Sequence, residues 1–200
     1  MVSAFFEKRG ISMDSERVLR IYWQQYKLLE KRMLELSEYV MVTQKNFPVF
    51  SAQFIQMFLT ICSEIDSVAD KFCSLLGIVA SKDKYGIMKK INIIVDKYKN
   101  LRDWKCDTKS PFDVLHLVPF KKFDGEQSAD WWTAYNKVKH FRTDIDDNGV
   151  YNYERANLKN VIYSLSALYM LLYKMKTEFY ADVKINTDSE IFDIDRSNLK

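Results

Sequence analysis

Glycine and proline are scarce in this 200-residue chain, at five and three. So few turn formers exclude a turn-rich β-sandwich, a collagen-like chain and a long disordered linker. Three cysteines, an odd number spread along the chain, make no disulfide framework. With only two histidines they build no repeated Cys/His zinc signature either, and no metal or other cofactor is expected. Long apolar runs are missing too. The most apolar stretch, Val161 to Tyr173, is interrupted by Ser164 and Ser166 and closed by Lys159 and Lys174, whereas a spanning helix needs about 20 apolar residues. The opening Met1-Val2-Ser3-Ala4-Phe5-Phe6-Glu7-Lys8-Arg9 lacks the charged-then-apolar layout of a secretory signal. Neither charge sign dominates: 30 basic against 27 acidic residues leave +3, which announces neither a nucleic acid nor a membrane surface. What is present is apolar and aromatic material, 48% and 14% of the chain, enough for one domain with a real core. The expectation is a cytoplasmic protein with no membrane segment, folded over residues 1–182 and followed by a polar tail, 183–200.

Helical periodicity dominates. Leu19, Tyr22, Tyr26, Leu29, Met33, Leu36 and Val40 recur at steps of three and four after Asp14 and Ser15, either of which suits a helix cap. Phe47-Pro48 interrupts the pattern. Ser51 then suits the cap of a second helix carrying Phe54, Phe58, Ile61, Ile65, Val68, Phe72 and Leu75, with Gly77 as its terminator. These two are expected to pair antiparallel. A third helix, 84–101, turns Ile87, Ile91, Ile94, Tyr98 and Leu101 inward and Lys89, Lys90, Lys97, Lys99 and Arg102 outward. That basic side reads either as a solvated face or as a landing surface for a phosphate backbone. The last long helix spans 154–179, with Leu158, Ile162, Leu165, Leu168, Tyr169, Leu172 and Met175 on its apolar side. After Asp182 only Ile191-Phe192 can anchor a loosely docked tail. The predicted fold is all-α: an antiparallel bundle of about five main helices, with one long irregular loop before the fourth.

That loop runs from Trp104 to Gln127, with Cys106 to Pro111 irregular and Val114 to Val118 either a short strand or a helical turn. A structureless loop of about 20 residues is unusual in a compact domain. His116 within it reads as a satisfied, semi-buried residue. Cys62 and Cys73 read as core thiols, and Cys106 has no sequence-adjacent base. Asp144, Asp146 and Asp147 resemble a piece of a calcium loop but lack its glycine position and closing glutamate. No glycine-rich phosphate loop and no nucleophile elbow occurs.

Ser128 suits the cap of the fourth helix. At about 100° per residue, Trp131, Ala134, Tyr135, Val138 and Phe141 fall on a core-facing arc. Trp132, Asn136, Lys139, His140 and Thr143 fall on another, and Arg142 lies at the edge of the first, near Tyr135 and Val138. Asn136 and His140 are one turn apart, with Lys139 beside both. His140 is the one imidazole in that patch, the side-chain type suited to proton transfer near neutral pH. Lys139 and Arg142 suit charge developing on a phosphoryl oxygen, and Trp132 suits stacking on a base. A structural Asn–His pair tying the helix to its surroundings reads equally well from the same residues.

The run Trp131-Trp132-x-x-Tyr135-Asn136-x-x-Lys139-His140-x-Arg142, followed by Ala156-Asn157-Leu158 and a long apolar helix, resembles the C-terminal half of HEPN-type proteins (higher eukaryotes and prokaryotes nucleotide-binding). More narrowly, it resembles bacterial members with a tryptophan, Tyr-Asn and Lys-His signature. The resemblance covers about residues 128–175 in motif and the whole chain in helical layout. It implies a helical bundle, commonly a homodimer across the motif-bearing helices. It also implies a metal-independent endoribonuclease of a toxin–antitoxin or phage-defence system, with RNA or a nucleotide as ligand and an antitoxin or other companion protein as partner. The catalytic pattern of the family is an Arg, usually followed by a polar residue, with four to six residues between that Arg and a His. With His140 as that His, Asn136 matches the polar residue, and the Arg position falls on Tyr135, or on Ala134 or Thr133 at the longer spacings. None is Arg. Either Lys139 or Arg142 supplies the cation, or the motif is degenerate and the patch is a dimerisation or protein-interaction surface.

Overall fold

Two apolar helices, too hydrophobic to face water on most of their surface, form the centre of the molecule. The computed structural model describes residues 13–78, 86–124 and 127–194. Helix α2 (Ala52–Leu75) and helix α5 (Leu158–Phe179) pack together, and α1 (Met13–Ser37) and α4 (Asp130–His140) lie against both. Helix α3 (Ile87–Lys97) packs on α2. Buried residues surround nearly the whole of α5, the pattern of a core helix rather than an amphipathic surface one. Ser164 and Ser166 do not break it: their hydroxyls donate back to the carbonyls of Val161 and Tyr163 at 3.0 and 2.8 Å, so each is satisfied locally.

Local sequence chemistry sets several helix ends. The Ser51 hydroxyl accepts the Phe54 amide at 3.1 Å and starts α2. At the other end Gly77 takes φ +78°, and the Ile78 amide reaches back to the Cys73 carbonyl at 3.0 Å. Helix α1 runs antiparallel to α2: Tyr22 contacts Ser67, whereas Arg32, two to three turns further on, donates to Gln53 and Gln56. Asp14 and Ser15 lie within α1 rather than before it. Trp23, which the apolar stripe omits, is buried beside Tyr26 and Tyr169. The last helix begins at Leu158, later than its periodicity suggests, because the Asn157 side chain caps it by accepting the Asn160 amide at 3.1 Å. A 3-10 turn, Asn152–Arg155, occupies the residues in front.

The basic side of the third helix is smaller than the sequence suggests. Lys90 is buried, its ammonium 2.7 Å from both Asp66 and Asp70, which are one turn apart on α2. Burial disfavours its charge, but the two carboxylates outweigh burial and raise its pKa. Arg102 pairs with Asp96 at 2.6 Å and donates to the Phe123 carbonyl at 2.7 Å. The segment ends as a 3-10 turn, Lys99–Arg102, and Lys84 lies outside the described residues.

The chain is mainly helical but not all-α. A small antiparallel sheet of order β2-β1-β3 joins Cys106–Thr108 (β1), His116–Leu117 (β2) and Phe192–Ile194 (β3). Cys106, expected in an irregular loop, therefore sits in the central strand, fully buried, and burial pushes its thiol pKa well up. As far as Ile194 the C-terminal segment is not loosely docked: Val183, Ile191, Phe192 and Ile194 are buried and Phe192 stacks on Tyr169. No helix among the described residues is long and apolar enough to cross a membrane.

Candidate functional site

Helix α4 carries the residues singled out by the sequence, and its packing sorts them. Trp131, Ala134, Tyr135 and Val138 are buried against the bundle. Trp131 is held from its polar side as well, its indole N–H donating to the Pro119 carbonyl at 2.9 Å. Trp132, placed by helical geometry on the outer arc, is instead 4% exposed. Its ring meets Trp131 edge-on at 5.8 Å and Tyr135 at 4.7 Å. An indole is large enough to fold back over its helix and bury most of its surface on neighbouring rings, so Trp132 offers no open face to a base. Phe141 departs the other way. The helix ends at His140, Phe141 takes φ −135° and ψ 41°, and its ring is 58% exposed.

Asn136, Lys139 and His140 are exposed on α4, and Arg142 is exposed just past its end. No hydrogen bond joins Asn136 to His140 among the described residues. Arg142 turns back along the helix, Nε donating to the Val138 carbonyl at 3.4 Å. Lys137 and Lys139 in the last turn put positive charge at the negative end of the helix.

Tyr135, at the position where the family pattern has Arg, is 6% exposed, with its ring edge-on to Phe58 of α2 at 6.2 Å. Burial raises the pKa of its phenol, and the nearby Lys139 charge partly offsets that rise. The Lys139 ammonium lies over the Tyr135 ring, 5.5 Å from the centroid, within cation–π range. An amide, an ammonium, an imidazole and a guanidinium thus share the outer side and C-terminal end of one short helix.

What fixes that end lies outside the helix itself. The side-chain amide of Asn152, which is buried, donates to the Phe141 carbonyl at 2.8 Å, and its backbone amide donates to the Asp144 carbonyl at 2.9 Å. The Tyr153 amide donates to the Arg142 carbonyl at 3.0 Å. Asp146 accepts the amides of Asn148 and Val150 at 2.9 and 3.0 Å and pairs with Arg155. These contacts, led by the Val150 amide, hold its carboxyl below the usual carboxylate range. The Asp146-Asp147-Asn148-Gly149 composition announces a turn, and Gly149 at φ +78° completes it. Nothing in the sequence distinguishes Asn152.

The other chemistry-bearing residues are elsewhere. His116 is not semi-buried: its side chain is 69% exposed and Nδ1 meets Asp107 Oδ1 at 2.9 Å. Cys62 and Cys73 are buried in α2. Among the described residues no group of three His, Cys, Asp or Glu side chains is placed to hold a metal ion. Comparison with family models, curated proteins and solved structures finds no match to this chain.

Proposed function

We propose that this is a HEPN-like cytoplasmic protein that engages RNA through Asn136, Lys139, His140 and Arg142. In this reading it acts as a metal-independent endoribonuclease of a defence or toxin–antitoxin system, alongside an antitoxin or other companion protein. The observation that carries the reading is the grouping of those four exposed side chains at one end of α4, with the Lys139 ammonium over the ring of Tyr135. That places a cation beside the position where the family pattern has Arg. In the reaction, His140 takes the proton of an RNA 2′-hydroxyl as its oxygen attacks the adjacent phosphorus. The P–O5′ bond breaks, the 5′-oxygen takes up a proton, and a 2′,3′-cyclic phosphate remains on the upstream product. Lys139 and Arg142 offset charge on the non-bridging oxygens, as fixed cations do where charge develops. The test is cleavage of end-labelled mixed RNA in excess chelator, with His140→Ala beside the wild type. Cleavage by the wild type alone, leaving cyclic-phosphate ends, supports the mechanism. Metal-dependent cleavage, or cleavage that survives His140→Ala, overturns it.

A second reading, a non-catalytic dimerisation or protein-interaction module, is favoured by a different observation. Phe141 and Ile145 are 58% and 54% exposed next to the patch, and Tyr151 is exposed and stacked on Tyr153. Exposed aromatic and aliphatic groups beside a cationic rim suit a protein interface. This reading expects a concentration-dependent oligomer that the double change Phe141→Ser, Ile145→Ser dissociates, with no cleavage by either protein.

A further inference from the structure

Asp107 on β1 and His116 on β2 stand opposite each other in the sheet. Side chains alternate along a strand, so Cys106, Thr108 and Leu117 turn inward while Asp107 and His116 turn outward. The outward pair meets at 2.9 Å, Nδ1 to Oδ1. A carboxylate can only accept, so the contact places the ring proton on Nδ1 and leaves the neutral ring a free lone pair on Nε2. Asp193 of β3 pairs with Asp107 from the other side, which sets a second carboxylate behind the first. The connection between the two strands is tied down as well. The Thr108 hydroxyl donates to the Asp113 carbonyl at 2.6 Å and accepts the Leu115 amide at 2.8 Å.

The imidazole lines a cavity of about 290 Å³, at the lower limit of small-molecule sites. Among the described residues that line it there is no serine, threonine or cysteine, so His116 has no such partner to activate. The lysines there, as ammonium ions, have no lone pair to give. Burial raises the pKa of the Tyr163 phenol, which keeps it protonated and a poor nucleophile. Nε2 of His116 is therefore the nucleophile the cavity holds. The cations beside it select the electrophile. Lys121 and Lys159 line the cavity without a carboxylate partner among the described residues, whereas Asp130 holds Lys122 at 2.8 and 2.9 Å. Fixed positive charge beside a nucleophile suits a phosphoryl group, whose oxygens carry the charge of the transition state.

We propose that His116 is a phosphoryl-acceptor residue, modified on Nε2 by a small acyl phosphate. The Nε2 lone pair attacks phosphorus, the bond from phosphorus to the acyl oxygen breaks, and its electron pair leaves on the carboxylate. No proton has to move. Nδ1 keeps its hydrogen, and Asp107, the positioning residue, offsets the positive charge that the ring gains. Lys121 and Lys159 offset charge on the phosphoryl oxygens. The site shares no residue with the His140 patch and stands or falls without it. The experiment is incubation of the full chain with acetyl phosphate, with the label located by peptide mass spectrometry and by phosphorus and proton NMR at neutral pH. The chain has two histidines, and His140, exposed as well, is the internal reference for ordinary imidazole reactivity. The expected result is a phosphoryl group on Nε2 of His116, gained about tenfold or more faster than any label on His140. His116→Gln should abolish that label. Asp107→Asn and the double variant Lys121→Gln, Lys159→Gln should each slow it by about tenfold, with circular dichroism unchanged because none of these side chains is buried. No label on His116, equal rates at the two histidines, attachment at Nδ1, or wild-type rates in either the Asp107 or the lysine variant would each overturn the proposal.

Discussion

The ammonium of Lys139 rests over the ring of Tyr135, one turn below it on α4, 5.5 Å from the centroid. The tyrosine is buried and the lysine is exposed, so the helix presents to solvent a cation docked on an aromatic base. An exposed contact of this kind is worth only about 0.5–1 kcal/mol to the fold. Lys139→Gln should therefore shift melting slightly and, on the proposed mechanism, lower chelator-insensitive RNA cleavage by about tenfold or more, the scale of about 1.4 kcal/mol for one lost charge contact in the transition state. Melting curves and initial cleavage rates on the same preparation check this. Unchanged cleavage would assign the cation to Arg142 or remove it from the mechanism.

Trp132 separates a stacking role from a packing one. With 4% of its surface exposed against Trp131 and Tyr135, its truncation to Ala should cost about 3–5 kcal/mol of stability. Trp132→Phe, which keeps a ring in the cluster, should retain most of the proposed RNA binding, measured by filter retention. A Phe variant that stays fully folded yet loses RNA would show that the indole reaches the ligand after all.

Asp146 gives the loop beside the patch a pH signature. Its carboxyl is held below the usual range by the Val150 and Asn148 amides and the Arg155 charge. A depressed folded pKa means that its stabilisation is present above the ordinary aspartate pKa, near 3.9, and is lost as pH falls through the lower folded value. Asp146→Asn should melt below the wild type at pH 6, and the two melting temperatures should converge as pH drops below about 4. A gap that stays constant down to pH 2.5 would mean that the carboxylate charge has no part in holding the loop.

The long helices were legible because their signals are local. The stripes of α1 and α2, the Ser51 cap and the Gly77 terminator are each written within a few residues. The sheet was legible only in part: the Val114 to Val118 stretch, read as a short strand or a helical turn, holds β2, but β1 is three residues long and its other neighbour β3 lies near the far end of the chain. Periodicity cannot register a pairing between segments that short and that distant. The same limit hid Lys90, whose carboxylate partners are on another helix, and misplaced Trp132, because angular position on a wheel ignores how far a large side chain can bend back. At the candidate site the exposed set Asn136, Lys139 and His140 was readable from helical spacing alone. Its supports, Asn152 and the Asp146–Arg155 pair, depend on a loop geometry that no spacing rule encodes.

The C-terminal strand depends on one buried carboxylate. Glu30 on α1 is 1% exposed and accepts hydrogen bonds from the Tyr26 hydroxyl at 2.9 Å, the Ser189 hydroxyl, the Glu190 amide at 2.9 Å and the Lys27 ammonium at 2.6 Å. Ser189 in turn accepts the amides of Ile191 and Phe192 at 3.1 and 2.8 Å, directly ahead of β3. Removing the carboxylate takes the acceptor from the buried Ser189 hydroxyl and the partly buried Glu190 amide, while Tyr26 keeps Ser189 Oγ and Lys27 keeps the Asp188 carbonyl, a loss of about 1–3 kcal/mol for each donor left unsatisfied. Because β3 pairs with β1 along Cys106, the loss should not stay local: the strand should fray and uncover that thiol. Glu30→Ala should therefore speed the reaction of Cys106 with a thiol reagent, read by mass spectrometry of the labelled peptide. Cys62 and Cys73, buried in α2, should remain slow. Equal acceleration at all three cysteines would indicate global unfolding instead, and no acceleration at Cys106 would show that β3 is held by its own apolar side chains, Phe192 and Ile194, without the Glu30 contacts.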